Sequence, residues 1–89
     1  MKFQDHCLEC EEKLGEAFER VHLWLDEYAK LYNDPFTKHY HWIHRHHQAG
    51  IEEVRHKWGD RAAEAAKLHI LSDMNEIMTS EELQERLGL

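Results

Sequence analysis

Six of the nine histidines fall between residues 35 and 58, in the stretch PFTKHYHWIHRHHQAGIEEVRHKW: His39, His41, His44, His46, His47 and His56. Imidazole is the commonest metal-ligating side chain and titrates near neutral pH, so a cluster this dense calls for a chemical explanation. The same stretch carries its own helix signals. Asn33-Asp34-Pro35 reads as a start, with Asp34 as N-cap and Pro35 in the first turn. Gly59 follows Arg55, His56 and Lys57, a basic last turn before a left-handed cap. Ile43, His47, Gly50, Ile51, Val54 and Trp58 recur at steps of three and four. The spacing therefore predicts one helix over 35–58 whose buried stripe passes through His47. Tyr40 and His44 share that side, His39 and His46 flank it, and His41 points outward. Gly50 costs about 1 kcal/mol relative to Ala inside a helix, tolerable where another helix passes closely.

The flanking segments repeat the helical period. Leu14, Phe18, Val21, Leu25, Tyr28, Ala29 and Tyr32 predict a first helix over about 5–32, with a bend at Gly15. Asp60 is a good N-cap for a third helix, on which Ala62, Ala66, His69, Ile70, Asp73 and Ile77 share one side. The alanines permit close approach and would bring His69 and Asp73 inward. Thr79-Ser80-Glu81-Glu82 reads as a capping box for a short helix ending at Leu87, with Gly88 behind it. With one proline and no alternating apolar run, strands have no place. The expected fold is all-α: a single domain, 1–89, built as a bundle of three longer helices plus a short C-terminal one.

At 89 residues a lone core is marginal, so bound metal or oligomerisation is a natural supplement. The formal charge of −7 argues against a general nucleic-acid binder or an anionic-membrane binder. The acids are uneven: residues 36–58 carry Lys38, Arg45, Arg55 and Lys57 against only Glu52 and Glu53. No run of apolar residues is long enough to span a membrane and no signal-peptide pattern appears, so the expected location is cytoplasmic. Cys7 and Cys10, three apart, argue for reduced thiols.

Residues four apart on a helix project from one face, which makes His22/Asp26 and His69/Asp73 two ready-made ligand pairs. His44 and His47 could supply a third pair, with His46 beside them. Bundles build mononuclear and dinuclear sites this way. Mixed imidazole and carboxylate donors suit a divalent transition metal: Zn is favoured, and Fe, Ni and Mn are compatible. The alternative is that each pair is a surface hydrogen bond and the cluster a solvated strip. Cys7-x-x-Cys10, with His6 beside it, lacks a second pair and reads more simply as two ordinary thiols in the first helical turn.

The order His22-x-Trp24-x-Asp26, then His41 through Arg45-His46-His47-x-x-Gly50-Ile51, then His69-x3-Asp73 resembles a small uncharacterised His-rich helical family of bacterial and phage-associated proteins, a domain of unknown function. The resemblance covers roughly residues 20–87. It implies that His22, Asp26, His41, His46, His47, His69 and Asp73 are the shared polar positions, and so includes His41 where periodicity favours His44. This chain departs in extra residues between Pro35 and His41 and in its Cys7-x-x-Cys10 start.

Three readings follow. The first is a metal-binding helical protein with a site drawn from His22, Asp26, His44, His46, His47, His69 and Asp73. As an enzyme it would be a metal-dependent hydrolase acting on an ester or phosphoester. The second is an oligomeric binding module that captures a small anionic ligand, a phosphate or nucleotide, through Arg45, Arg55 and histidines. The third is an interaction protein whose histidines tune assembly with pH. Trp24 and Trp42 lie off the apolar stripes, which predicts a homo-oligomer, most simply a dimer.

Overall fold

The computed structural model describes residues 2–89. Among these the fold is all-α: α1 (Phe3–Leu14), α2 (Glu19–Leu25), α3 (Trp42–Arg45), α4 (Gln48–Trp58), α5 (Asp60–Met74) and α6 (Ser80–Arg86), with 3-10 turns at Ala29–Leu31 and Lys38–His41. No helix among the described residues is long and apolar enough to cross a membrane.

α5 is the axis. Ala62, Ala63, Ala65, Ala66 and Ile70 are all buried on it, and α1, α2 and α4 pack around it. Small side chains let three helices approach one without leaving voids. Cys10 of α1, Val21 and Leu25 of α2, and Ile51 and Val54 of α4 fill the space between. α6 lies against α3, and its capping box forms as expected: Thr79 Oγ1 accepts from the Glu82 amide, while Glu82 accepts from the Thr79 amide.

Two expected long helices are broken, each for a local reason. Gly15 adopts φ 84°, a left-handed cap that ends α1 outright instead of bending it. Phe18, at φ 55°, restarts the chain as α2. In the histidine-rich stretch, His47 is extended (φ −155°, ψ 179°) and acts as the N-cap of α4. Its Nδ1 accepts from the Gly50 amide and its Nε2 donates to the Ile43 carbonyl, so imidazole does here what Ser or Asp usually does. The Gln48 amide donates to the Met78 carbonyl across the break. Gly50 is required by this turn, because a Cβ would collide with the Arg45 carbonyl oxygen. The close neighbour expected of Gly50 is thus the preceding turn, not a passing helix. Asp34 makes an Asx turn to the Phe36 amide, and no helix starts there.

Candidate metal centre

The break at His46-His47 decides the site. On a continuous helix His44 and His47 would share the inner face. With the chain turned, His46 is fully buried and faces Asp26 and Asp73. Asp26 caps the C-terminus of α2, and Asp73 lies one turn beyond His69 on α5. His46 Nε2 is 3.2 Å from Asp26 Oδ1 and 3.3 Å from Asp73 Oδ2. His69 Nε2 is 3.4 Å from the same Asp26 oxygen and 3.3 Å from the same Asp73 oxygen. Nitrogen and oxygen therefore alternate around a closed ring of four donors.

Those spacings suit a shared cation, although one of them, His69 Nε2 to Asp26 Oδ1 at 3.4 Å, also serves as a long hydrogen bond. Two donors each about 2.1 Å from one ion lie roughly 3.0 Å apart at a right angle and about 3.4 Å apart at the tetrahedral angle. All four ring distances fall between these limits. Ordinary N–H···O contacts would be nearer 2.9 Å. His46 Nε2 is close to two carboxylate oxygens, yet it has no hydrogen-bond partner in line. The ring nitrogen aims between the carboxylates.

Two further histidines flank the ring. His41 Nε2 lies 3.4 Å from Asp26 Oδ1, with Nδ1 donating to the Lys38 carbonyl. That hydrogen bond fixes the hydrogen on Nδ1, so Nε2, which Asp26 favours in its protonated form here, is the nitrogen an ion could take once that proton is lost. His6 Nε2 lies 3.3 Å from Asp73 Oδ1 and, like His46, is fully buried without an in-line partner. An unpaired buried polar atom costs about 1–3 kcal/mol, and a shared cation would relieve one on each of these rings. A cleft of about 260 Å3 reaches the centre from solvent, lined by Asp26, Ala29, His39, His41, Trp42 and Asp73. Its wall holds His39 stacked on Trp42, with ring centroids 4.4 Å apart.

The electrostatics match the geometry. Burial alone would raise the Asp26 carboxyl, but the imidazoles of His41, His46 and His69 draw it far below the usual carboxylate range. At Asp73 burial is likewise outweighed, by His46, His6 and His69. Burial would lower His69, yet Asp26 and Asp73 raise it, and they raise it as a proton-holding imidazolium. A cation at the centre would take the place of that proton. Burial pushes His22 down to about 4, so it is neutral.

Of the sequence-derived candidates, Asp26, His46, His69 and Asp73 come together. His22 stands behind His69, with Nδ1 2.9 Å from His69 Nδ1 and Nε2 2.9 Å from the Ala17 carbonyl oxygen. His44 and His47 lie elsewhere. His44 bonds the Tyr32 hydroxyl at the surface, and both nitrogens of His47 serve the α4 cap. His41, which the resemblance includes and periodicity points outward, flanks the centre against Asp26. It arrives there because Lys38–His41 is a 3-10 turn. His6 was legible only as a neighbour of Cys7; its spacing of four from the core residue Cys10 is the signal that places it inward.

Cys10 is buried in the core and its thiol is pushed up to about 11 by burial. Among the described residues, no cysteine joins an imidazole or carboxylate group close enough to share an ion. The arginines expected to hold an anion are engaged. Arg45 donates to Glu27 and the Trp24 carbonyl and lies over the Trp24 and Tyr28 rings, while Arg55 pairs with Glu52 and Asp60. Comparison with protein families, curated proteins and solved structures gives no match.

Proposed function

We infer that this protein binds one divalent transition metal at the centre formed by Asp26, His46, His69 and Asp73, with His41 and His6 as the flanking donors. The observation that carries this reading is the closed ring of alternating nitrogen and oxygen at 3.2–3.4 Å, held on three separate helical elements. Two carboxylates balance the charge of a divalent ion, and the imidazole–carboxylate mixture favours zinc, with Fe, Ni and Mn compatible.

Catalysis is the finer part of the proposal. A bound divalent ion supplies Lewis acidity and an activated water at neutral pH. The chain supplies the rest. The cleft admits an ester or phosphoester to the Asp26–His41 side, while the buried His6 side stays closed. Asp26 is the more solvent-accessible of the two carboxylates, at 31 % against 8 % for Asp73, so it stands where water and substrate in the cleft would meet the ion.

Metal analysis of untagged protein tests the binding: one ion per chain is expected. No ion after purification, and no uptake of Zn, Fe, Ni or Mn, would refute it. For the hydrolase, metal-loaded protein should cleave an activated aryl phosphoester or ester, and Asp26→Asn should lose that activity. Cleavage unaffected by chelation would reject the mechanism.

A further inference from the structure

We propose that His22 is a positioning residue and not a ligand: it sets the tautomer of His69 so that Nε2 presents a lone pair to the metal. The inference rests on the metal reading above. Its chain of hydrogen bonds starts at the backbone. The Ala17 carbonyl oxygen can only accept, so His22 Nε2, 2.9 Å away, must carry the hydrogen. Neutral His22 then has its lone pair on Nδ1. His69 Nδ1, 2.9 Å from that atom, must therefore be the donor. With its hydrogen fixed on Nδ1, His69 can give up to an ion only the hydrogen on Nε2, the atom that lies 3.4 Å from Asp26 Oδ1 and faces Asp73, and the lone pair is then left on Nε2. The opposite tautomer would aim an N–H at the ion.

The order is built into the chain break. Gly15 ends α1 with a left-handed residue, and the following turn exposes the Ala17 carbonyl beside the first turn of α2. His22 is fully buried with both nitrogens engaged, whereas His6 and His46, also fully buried, have none in line. That contrast separates an orienting histidine from rings that await a partner. His6 stacks on His69 at 3.6 Å between centroids and 14° between planes, which fixes the ring that His22 orients. Outer partners of metal-bound histidines commonly work in this way. His6, His22 and His69 also lie close enough together to share an ion, and the test separates that arrangement.

The test uses the full chain and zinc alone. In the 15N-labelled, zinc-loaded protein, imidazole correlations should show His22 protonated at Nε2, His69 protonated at Nδ1 and zinc on His69 Nε2. Zinc affinity should fall about 10- to 100-fold in His22→Leu at unchanged stoichiometry. His22→Gln, whose amide offers one donor and one acceptor, should stay within about threefold of the parent, by the same outer-partner reasoning. Zinc on His22 Nδ1, or a second zinc per chain that His22→Leu removes, would make His22 a ligand and overturn the role. Parent affinity in His22→Leu would overturn it as well, while leaving the metal centre standing. A parent protein that takes up no zinc would remove the metal reading and this role together.

Discussion

Replacing Asp73 with Asn keeps the shape of the side chain and removes one of the two charges that the centre turns toward a cation. Asp73 sits within 3.3 Å of Nε2 on His6, His46 and His69, so one substitution alters three donor contacts. Outer partners of a metal typically contribute 10- to 100-fold in affinity, and a direct anionic ligand should reach at least the upper end, about 2.7 kcal/mol for 100-fold. The consequence for stability follows by mass action. Zinc at 100 times its Kd stabilises the parent by about 2.7 kcal/mol, and after a 100-fold loss of affinity the same zinc contributes only about 0.4 kcal/mol. For a domain of this size each kcal/mol moves Tm by roughly 4–8 °C, so the zinc-induced rise should shrink from on the order of 10–20 °C to a few degrees. Competition titration with a chromophoric chelator measures the affinity, and melts with and without zinc measure the stability. Asp26→Asn should behave alike. The double variant should fall short of the sum, because both residues act on one ion. Unchanged stoichiometry and affinity in Asp73→Asn would refute the centre as built here.

Metal binding should strengthen with rising pH, because the ion must displace the proton that Asp26 and Asp73 favour on His69; affinity independent of pH between 5 and 8 would contradict this. In the metal-free protein His22 contributes with the opposite sign to His69: its folded-state pKa of about 4 lies below the ordinary histidine value, so acidification from about 6.5 toward 4 protonates it in the unfolded chain first and lowers stability. A urea series across that window should show the slope reduced in His22→Gln. Gly50→Ala should destabilise by about 1–3 kcal/mol, because the new Cβ meets the Arg45 carbonyl; a melt equal to the parent's would show that the α3–α4 turn relaxes freely. Self-association should use exposed Leu23, Leu31 and Phe36 more than Trp24, which packs edge-on against Trp58 and beneath Arg45. Light scattering near 10.7 kDa at micromolar concentration would rule it out.

The local signals in the sequence determined that the chain is helical and where α5 and α6 lie, but not the breaks inside the two segments before them. The period of three and four marked α4 and α5, the Thr79–Glu82 box marked α6, and His69/Asp73 kept its four-residue spacing as a pair in contact on one face. Alanine at 62 and 66 announced a helix that others approach closely, and α5 is that helix. These features are legible because each depends on residues within about one helical turn. What the tertiary structure decided was the direction of each histidine. His47 spends its imidazole on a helix cap, and the turn it creates sends His46 inward in its place. His22 and Asp26 share a helix face but divide their work. Asp26, at the cap, reaches His41, His46 and His69, while His22 is held by a carbonyl from the turn before. His6 reaches the centre only because α1 packs on α5, across a sequence separation that periodicity cannot bridge. Helical period orders the residues of one helix, but a site made by several depends on where each chain break falls and on which backbone groups those breaks leave to be satisfied.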